Sequence, residues 1–234
     1  MRTKLASGAL LLTAGLALMP GQAHAQTPSN VLLFPAVVNG DRNDSTKLVE
    51  DDVTEALRNQ LAKLGIAAVV YNKRIPSVQR AINESDKIIS DKNADSGPGD
   101  DNRIAKRFAE VVGASEYLTV FVDDYSFDAA SRTAKFNLSM TRYNTESGQA
   151  LGTFAKMQQG VAPADVAKGR QQASALARAA ETGGQQAANS LYPQAAVMAS
   201  NVKANVKRTA KRSGDKNVMT IFGALLGVLY FSTR

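Results

Sequence analysis

Cysteine and tryptophan are missing from this chain of 234 residues, and histidine occurs once, at His24. Without cysteine there is no disulfide, and none of the soft ligands that hold zinc, copper or iron-sulfur centres. The first 25 residues have the layout of a secretory leader. Arg2 and Lys4 precede an uncharged apolar run from Leu5 to Met19, and Ala23-His24-Ala25 supplies a small-x-small cleavage site. Cleavage there removes the one histidine, and with it the side chain most used as a general base near neutral pH. The expectation is an exported, non-enzymatic protein with no cofactor, no catalytic residues and no metal site.

Basic and acidic residues nearly balance over most of the chain, and the excess of positive charge lies near its end. Lys203, Lys207, Arg208, Lys211, Arg212 and Lys216 stand against one acid, Asp215, whereas residues 26–202 are close to neutral. In an exported chain such a run points to anionic lipid or an acidic polymer and not to nucleic acid. A solvated helix face is the plain alternative. From Asn217 to Thr233 there are 17 residues without charge, near the lower limit for spanning a bilayer. Gly223 and Gly227 stand four apart on one face of that segment, a spacing that permits close helix approach. Charge order opposes simple insertion, because the basic residues precede the segment. Membrane insertion, burial in a homo-oligomer and folding back onto the domain all stay open.

What is present between these ends is a clear alternation of periods. Val31 to Val38 ("VLLFPAVV") is a buried strand ending at Asn39-Gly40. Apolar residues at helical spacing follow Asp44-Ser45 as far as Leu64, and Gly65 closes that helix. Ile66 to Tyr71 predicts a second buried strand, and Pro76 opens a helix reaching Ile89. A third helix, capped by Asn102, runs to Gly113. The period then falls to two: Tyr117–Asp124, Thr133–Tyr143 and Ala150–Gln158 make a three-strand meander. The expected fold is an α/β sandwich with a mixed sheet and helices mostly on one face, ordered strand-helix-strand-helix-helix-meander. Residues 26–160 form this domain. Residues 161–216 form an Ala/Gln-rich and then basic helical extension, which is one helix, or two with a weak joint at Gly183-Gly184, before a break at Pro193. Residues 217–234 are the apolar tail.

Several stretches resemble one envelope superfamily, which comprises the curli-secretion CsgG domain, the penicillin-binding-protein activator LpoB and the amino-terminal domain of TolB. They are "NVLLFPAVVNG", "LAKLG", "IAAVVYNKR", "VVGASEYLTVFVDDY" and "LSMTRYNTESGQALGTF", across residues 30–160. Gly113-Ala114 fits the group's helix-closing Gly-Ala, and Thr145 to Gly148 resembles its Thr-Gly turn with two residues inserted. The resemblance implies the same α/β fold and work in envelope assembly or regulation through an envelope protein partner, without catalysis. Many members are lipoproteins; this chain has no anchoring cysteine, which turns attention to its tail.

The acidic stretch "DKNADSGPGDDN" invites a calcium reading. Asp91, Asn93 and Asp95 stand at steps of two, as in a helix-loop-helix calcium loop, but the sixth and twelfth positions are Ser96 and Asn102 instead of Gly and Glu. The stretch is expected to be an exposed acidic connector and a partner-docking loop, with Asp91, Asn93, Asp95, Asp100 and Asp101 as its candidate residues. Lys203, Lys207, Arg208, Lys211 and Arg212, with Gly223 and Gly227, are the candidates for membrane attachment or packing. A soluble periplasmic module that binds a small ligand or cation is the rival function. Asp123 and Asp124 adjoin on a strand, so their carboxylates are expected on opposite faces and form no dyad.

Overall fold

The computed structural model describes residues 30–39 and 44–213. The leader-like segment, Gly223 and Gly227 therefore lie outside the described residues. Within them the chain is a mixed α/β domain built on one six-stranded sheet. The strands are β1 (Val31–Leu33), β2 (Val37–Val38), β3 (Ala68–Val70), β4 (Glu116–Asp128), β5 (Thr133–Asn144) and β6 (Ala150–Val161). The sheet runs β3-β1-β4-β5-β6, with β2 also paired to β4. β1, β2 and β3 are parallel to their neighbours, and β4, β5 and β6 form the antiparallel meander.

Strict alternation explains the meander. Ala134, Phe136, Leu138 and Met140 of β5 are all buried on one face, as a period of two requires. The first strand is broken where one unbroken run was expected. Proline has no N–H to give a ladder, and at Pro35 the β1 ladder stops, to resume as β2. The run from Ile66 to Tyr71 is a second correction. Only Ala68–Val70 is strand, it forms the sheet edge, and Val69 is 44% exposed.

Helices cover both faces, not mostly one. α1 (Asp44–Lys63) and α5 (Gln171–Leu191) pack on one side with Leu118, Val120, Val122 and the buried β5 residues. On the other side α2 (Pro76–Asn83), α3 (Asp91–Ser96) and α4 (Asn102–Val112) enclose an aromatic core. There Phe34, Tyr71, Phe108 and Tyr117 lie with ring centroids 4.7 to 6.3 Å apart, in the tilted and edge arrangements that aromatic quadrupoles favour.

Of the two alternatives at Gly183-Gly184 the structure has the single helix: α5 passes through them unbroken. Its glycines permit close packing. A Cβ on Gly183 would lie 2.8 Å from the Gln158 side chain, and one on Gly184 would lie 3.3 Å from the α1 backbone at Ala56. Facing them on β6, a Cβ on Gly160 would lie 2.2 Å from the Ala175 carbonyl oxygen. α5 is thus seated almost on the sheet backbone.

α6 (Pro193–Ser213) begins immediately after α5. The junction is held by Arg142 of β5. Its Nη1 donates to the Leu191 carbonyl at 2.8 Å, its Nε donates to Glu116 at 2.8 Å, and its guanidinium carbon sits 4.1 Å from the Tyr192 ring centre. The Tyr192 hydroxyl also donates to Glu116, at 3.1 Å.

Candidate functional site

A crevice of about 690 Å³ opens where the parallel strands end. Its walls come from four places: the Phe34–Val37 break in the first strand, the first turns of α1, the Tyr71–Lys73 segment after β3, and the Ala94–Gly99 segment at the end of α3. Chain topology puts it there. The β1-to-β3 connection crosses one face through α1, and the β3-to-β4 connection crosses the other through α2, α3 and α4. Beyond the carboxyl ends of such strands, where the crossovers part to opposite faces, open α/β sheets leave a crevice that ligands use.

The floor is apolar, made by Phe34, Ala36, Val37 and Phe121. Thr119 joins it from β4. This residue is only 8% exposed, and among the described residues its hydroxyl has no hydrogen-bond partner. Two α1 side chains secure the broken strand at the rim. Thr54 Oγ1 accepts from the Ala36 N–H at 2.9 Å, and Glu50 accepts from the Val38 N–H at 3.2 Å. Lys47 and Asp51 stand on the same wall. Across from them Lys73 and Asp95 form an exposed ion pair. Tyr71 ties that wall down by donating to the Ala94 carbonyl at 2.9 Å, and burial, with Asp95 nearby, pushes its phenol pKa up.

The five candidates of the acidic stretch are divided by the structure. Asp91, Asn93 and Asp95 lie in a short helix, α3, not in a loop, a correction with a local cause. Ser90 caps that helix by accepting from the Asn93 N–H at 3.3 Å, and the Asn93 amide donates to the Ile88 carbonyl at 2.9 Å. Residues at steps of two diverge around a helix, so the three side chains do not converge. Asp101, not Asn102, caps α4, accepting from the N–H groups of Arg103 and Ile104 at 2.9 and 3.2 Å. Asn102 instead accepts from the Tyr117 hydroxyl at 2.6 Å. Only Asp95 lines the crevice, while Asp100 lines an adjoining recess with Val37, Asn39, Gly99 and Phe121.

Asp123 and Asp124 are separately engaged. Asp123 accepts from the Asn39 amide at 2.5 Å and Asp124 from the Asn137 amide at 2.8 Å. Asp124 has φ of 54°, where the β4–β5 register shifts. Of the basic candidates, Lys203 is exposed on α6, and Lys207, Arg208, Lys211 and Arg212 fall within the same helical span. The first half of α6 exposes apolar side chains: Val197, Met198 and Val202 are 58%, 66% and 56% accessible. No helix among the described residues is long and apolar enough to cross a membrane.

The crevice residues Thr119, Lys47, Asp51 and Lys73 escaped the sequence reading, since they are distant in the chain and belong to no motif. Pro35 inside an apolar strand was the available signal, because it forces a break in the ladder.

No family model and no curated protein matches this chain. Solved structures do. A PelC dodecamer from Paraburkholderia phytofirmans is 11% identical, with 70% of this chain and 87% of that one covered and a TM-score of 0.41. The lipoprotein GNA1162 from Neisseria meningitidis is 11% identical, covering 56% and 83%, with a TM-score of 0.39. The LpoB C-terminal domain from Escherichia coli is 19% identical, covering 56% and 82%, with a TM-score of 0.36. LpoB, one of the three groups that the sequence resembles, thus recurs among these structures. At such scores the likeness carries no functional weight, and function rests on the chain's own residues.

Proposed function

We propose that this chain is an exported cell-envelope protein of the CsgG, LpoB and TolB amino-terminal group. Its α/β domain binds another envelope protein without catalysing a reaction, and α6 with the uncharged segment after it holds the domain at a membrane. The observation that carries the reading is the state of α6. This helix exposes Val197, Met198 and Val202 and leads through the basic residues into the uncharged run from Asn217 to Thr233. An apolar stripe beside clustered lysines and arginines is what a membrane surface receives: apolar side chains enter the interface and cations meet anionic headgroups.

The test is fractionation of the tagged full chain in a bacterial envelope. Full-length protein is expected with the membranes, and deletion of Val218 to Arg234 is expected to release it. Neutralising Lys203, Lys207, Arg208, Lys211 and Arg212 together should give partial, salt-dependent release, since each surface cation contributes about 1 kcal/mol and is screened by salt. Gly223→Leu should keep the protein on the membrane while reducing any self-association. A full-length chain that is soluble and monomeric would sink the attachment. A soluble exported module for a small ligand or cation is the second function, favoured by the crevice at the strand ends.

A further inference from the structure

The crevice has the right size for a guest of several residues and an uneven charge around its rim. Glu50, Asp51 and Asp95 face it and Asp100 lies in the recess beside it, against Lys47 and Lys73. Asp95 neutralises Lys73. Among the described residues, three carboxylates then remain against the single Lys47 ammonium, a balance that favours a cation. The apolar floor adds a second demand, because the half-buried Val37 and Phe121 offer contact area to a nonpolar group and none to a bare ion. Thr119 adds a third. The residue is only 8% exposed and lines the crevice, and its hydroxyl has no partner among the described residues. A hydroxyl that makes no bond within the described residues is open to a guest that hydrogen-bonds it.

From these three features we propose that the crevice docks an extended peptide segment of a partner protein, with basic residues flanking an apolar one. The apolar side chain lies on Phe121 and Val37. The flanking cations meet Asp51 on the α1 wall and Asp100 in the adjoining recess, and a backbone group of the peptide bonds the Thr119 hydroxyl. An extended chain suits the site because its side chains alternate in direction, so one residue can face the floor while its neighbours reach the walls. A volume of about 690 Å³ lies within the range of recognition pockets. The proposal rests on the interaction-module reading and gives its partner a chemistry. It fails separately, because binding is measured in solution and attachment by fractionation.

The test uses the full chain in nonionic detergent, titrated into two fluorescein-labelled peptides while anisotropy is followed. One peptide is Ser-Lys-Leu-Lys-Ser and the other is Ser-Glu-Leu-Glu-Ser. The lysine peptide is expected to bind saturably and the glutamate peptide is not. Asp51→Asn should weaken binding about tenfold, as loss of one charge contact does. It does not threaten the fold, since Asp51 is exposed on α1 and its charge repels that of Asp52. Thr119→Val, which keeps shape and removes the hydroxyl, should weaken binding about fivefold with an unchanged melting curve. Asp91→Asn carries the same charge change outside the crevice and should leave binding intact. The proposal is overturned if neither peptide saturates or if both bind alike. It is also overturned if Asp91→Asn weakens binding as much as Asp51→Asn, which would mean attraction by overall charge alone.

Discussion

Gly160→Ala is the sharpest test of how this domain is held together. Gly160 lies on β6 opposite Ala134 and is buried under α5. A Cβ there would stand 2.2 Å from the Ala175 carbonyl oxygen, 2.5 Å from the Ala179 nitrogen and 3.1 Å from the Ala179 Cα. All three are backbone atoms of a helix, so no side chain can swing aside. α5 has to withdraw by about 1 Å, and a gap of that size forfeits a quarter to a half of each contact along the seam. Ala175, Leu176, Ala179 and Ala180 are all buried on that seam. Overpacking of this kind costs about 3 kcal/mol, and the unfolded-state gain of replacing glycine returns only a few tenths. In a domain of this size each kcal/mol moves the melting temperature by about 2–4 °C, so a fall of about 6–12 °C is expected. Gly169→Ala is the control, because nothing lies within 4 Å of a Cβ there. Thermal unfolding followed by circular dichroism reads both variants. If Gly160→Ala melts with Gly169→Ala, α5 does not sit on β6 at this spacing and the packing described above is wrong.

Two further outcomes follow from the same packing. The Asp86 carboxyl is held down to about 2 by its hydrogen bond from Arg107, helped by the Ile88 and Ile89 N–H groups. Its stabilising effect is therefore complete above the ordinary carboxyl range and is lost as pH falls from about 4 through 2. Asp86→Asn keeps the turn's acceptor but loses the charge, so chemical denaturation between pH 6 and pH 2 should show a shallower acid loss for that variant; an identical pH profile would refute the linkage. On β5, Phe136→Asp should unfold the domain because Phe136 is 1% exposed, whereas Lys135→Asp on the opposite, open face should shift stability by less than about 0.5 kcal/mol. Equal tolerance of the two changes would mean that the strand faces are reversed.

Much of the architecture was legible because it depends on local period. The β4–β6 meander, the helix after Asp44 and the Gly113 stop are all written in alternation, spacing and caps. What was misread depends on partners far away in the chain. The Ile66–Tyr71 run is as apolar as a central strand, and only the order of strands decides that it forms an edge. α3 is composed of residues that ordinarily build connectors. It is helical because Ser90 caps it and because Tyr71, more than twenty positions earlier, bonds the Ala94 carbonyl. Gly183-Gly184 left one helix or two open in the sequence, whereas in the fold Gly183 makes room for the Gln158 side chain and Gly184 for the α1 backbone. The crevice is assembled from five segments, none of which bears a motif.

The Arg142 junction fixes where any tether must pull. Glu116 opens β4, and through Arg142 and Tyr192 it holds the point at which α6 departs. The crevice reaches the same strand at Thr119 to Phe121. Along the strand Glu116 stands about 10 Å before Thr119 and about 17 Å before Phe121. Tension applied through α6 would therefore load the sheet at the root of β4 and leave the mouth of the crevice mechanically quiet. A domain on such a leash can be strained at one end while its docking surface keeps its shape.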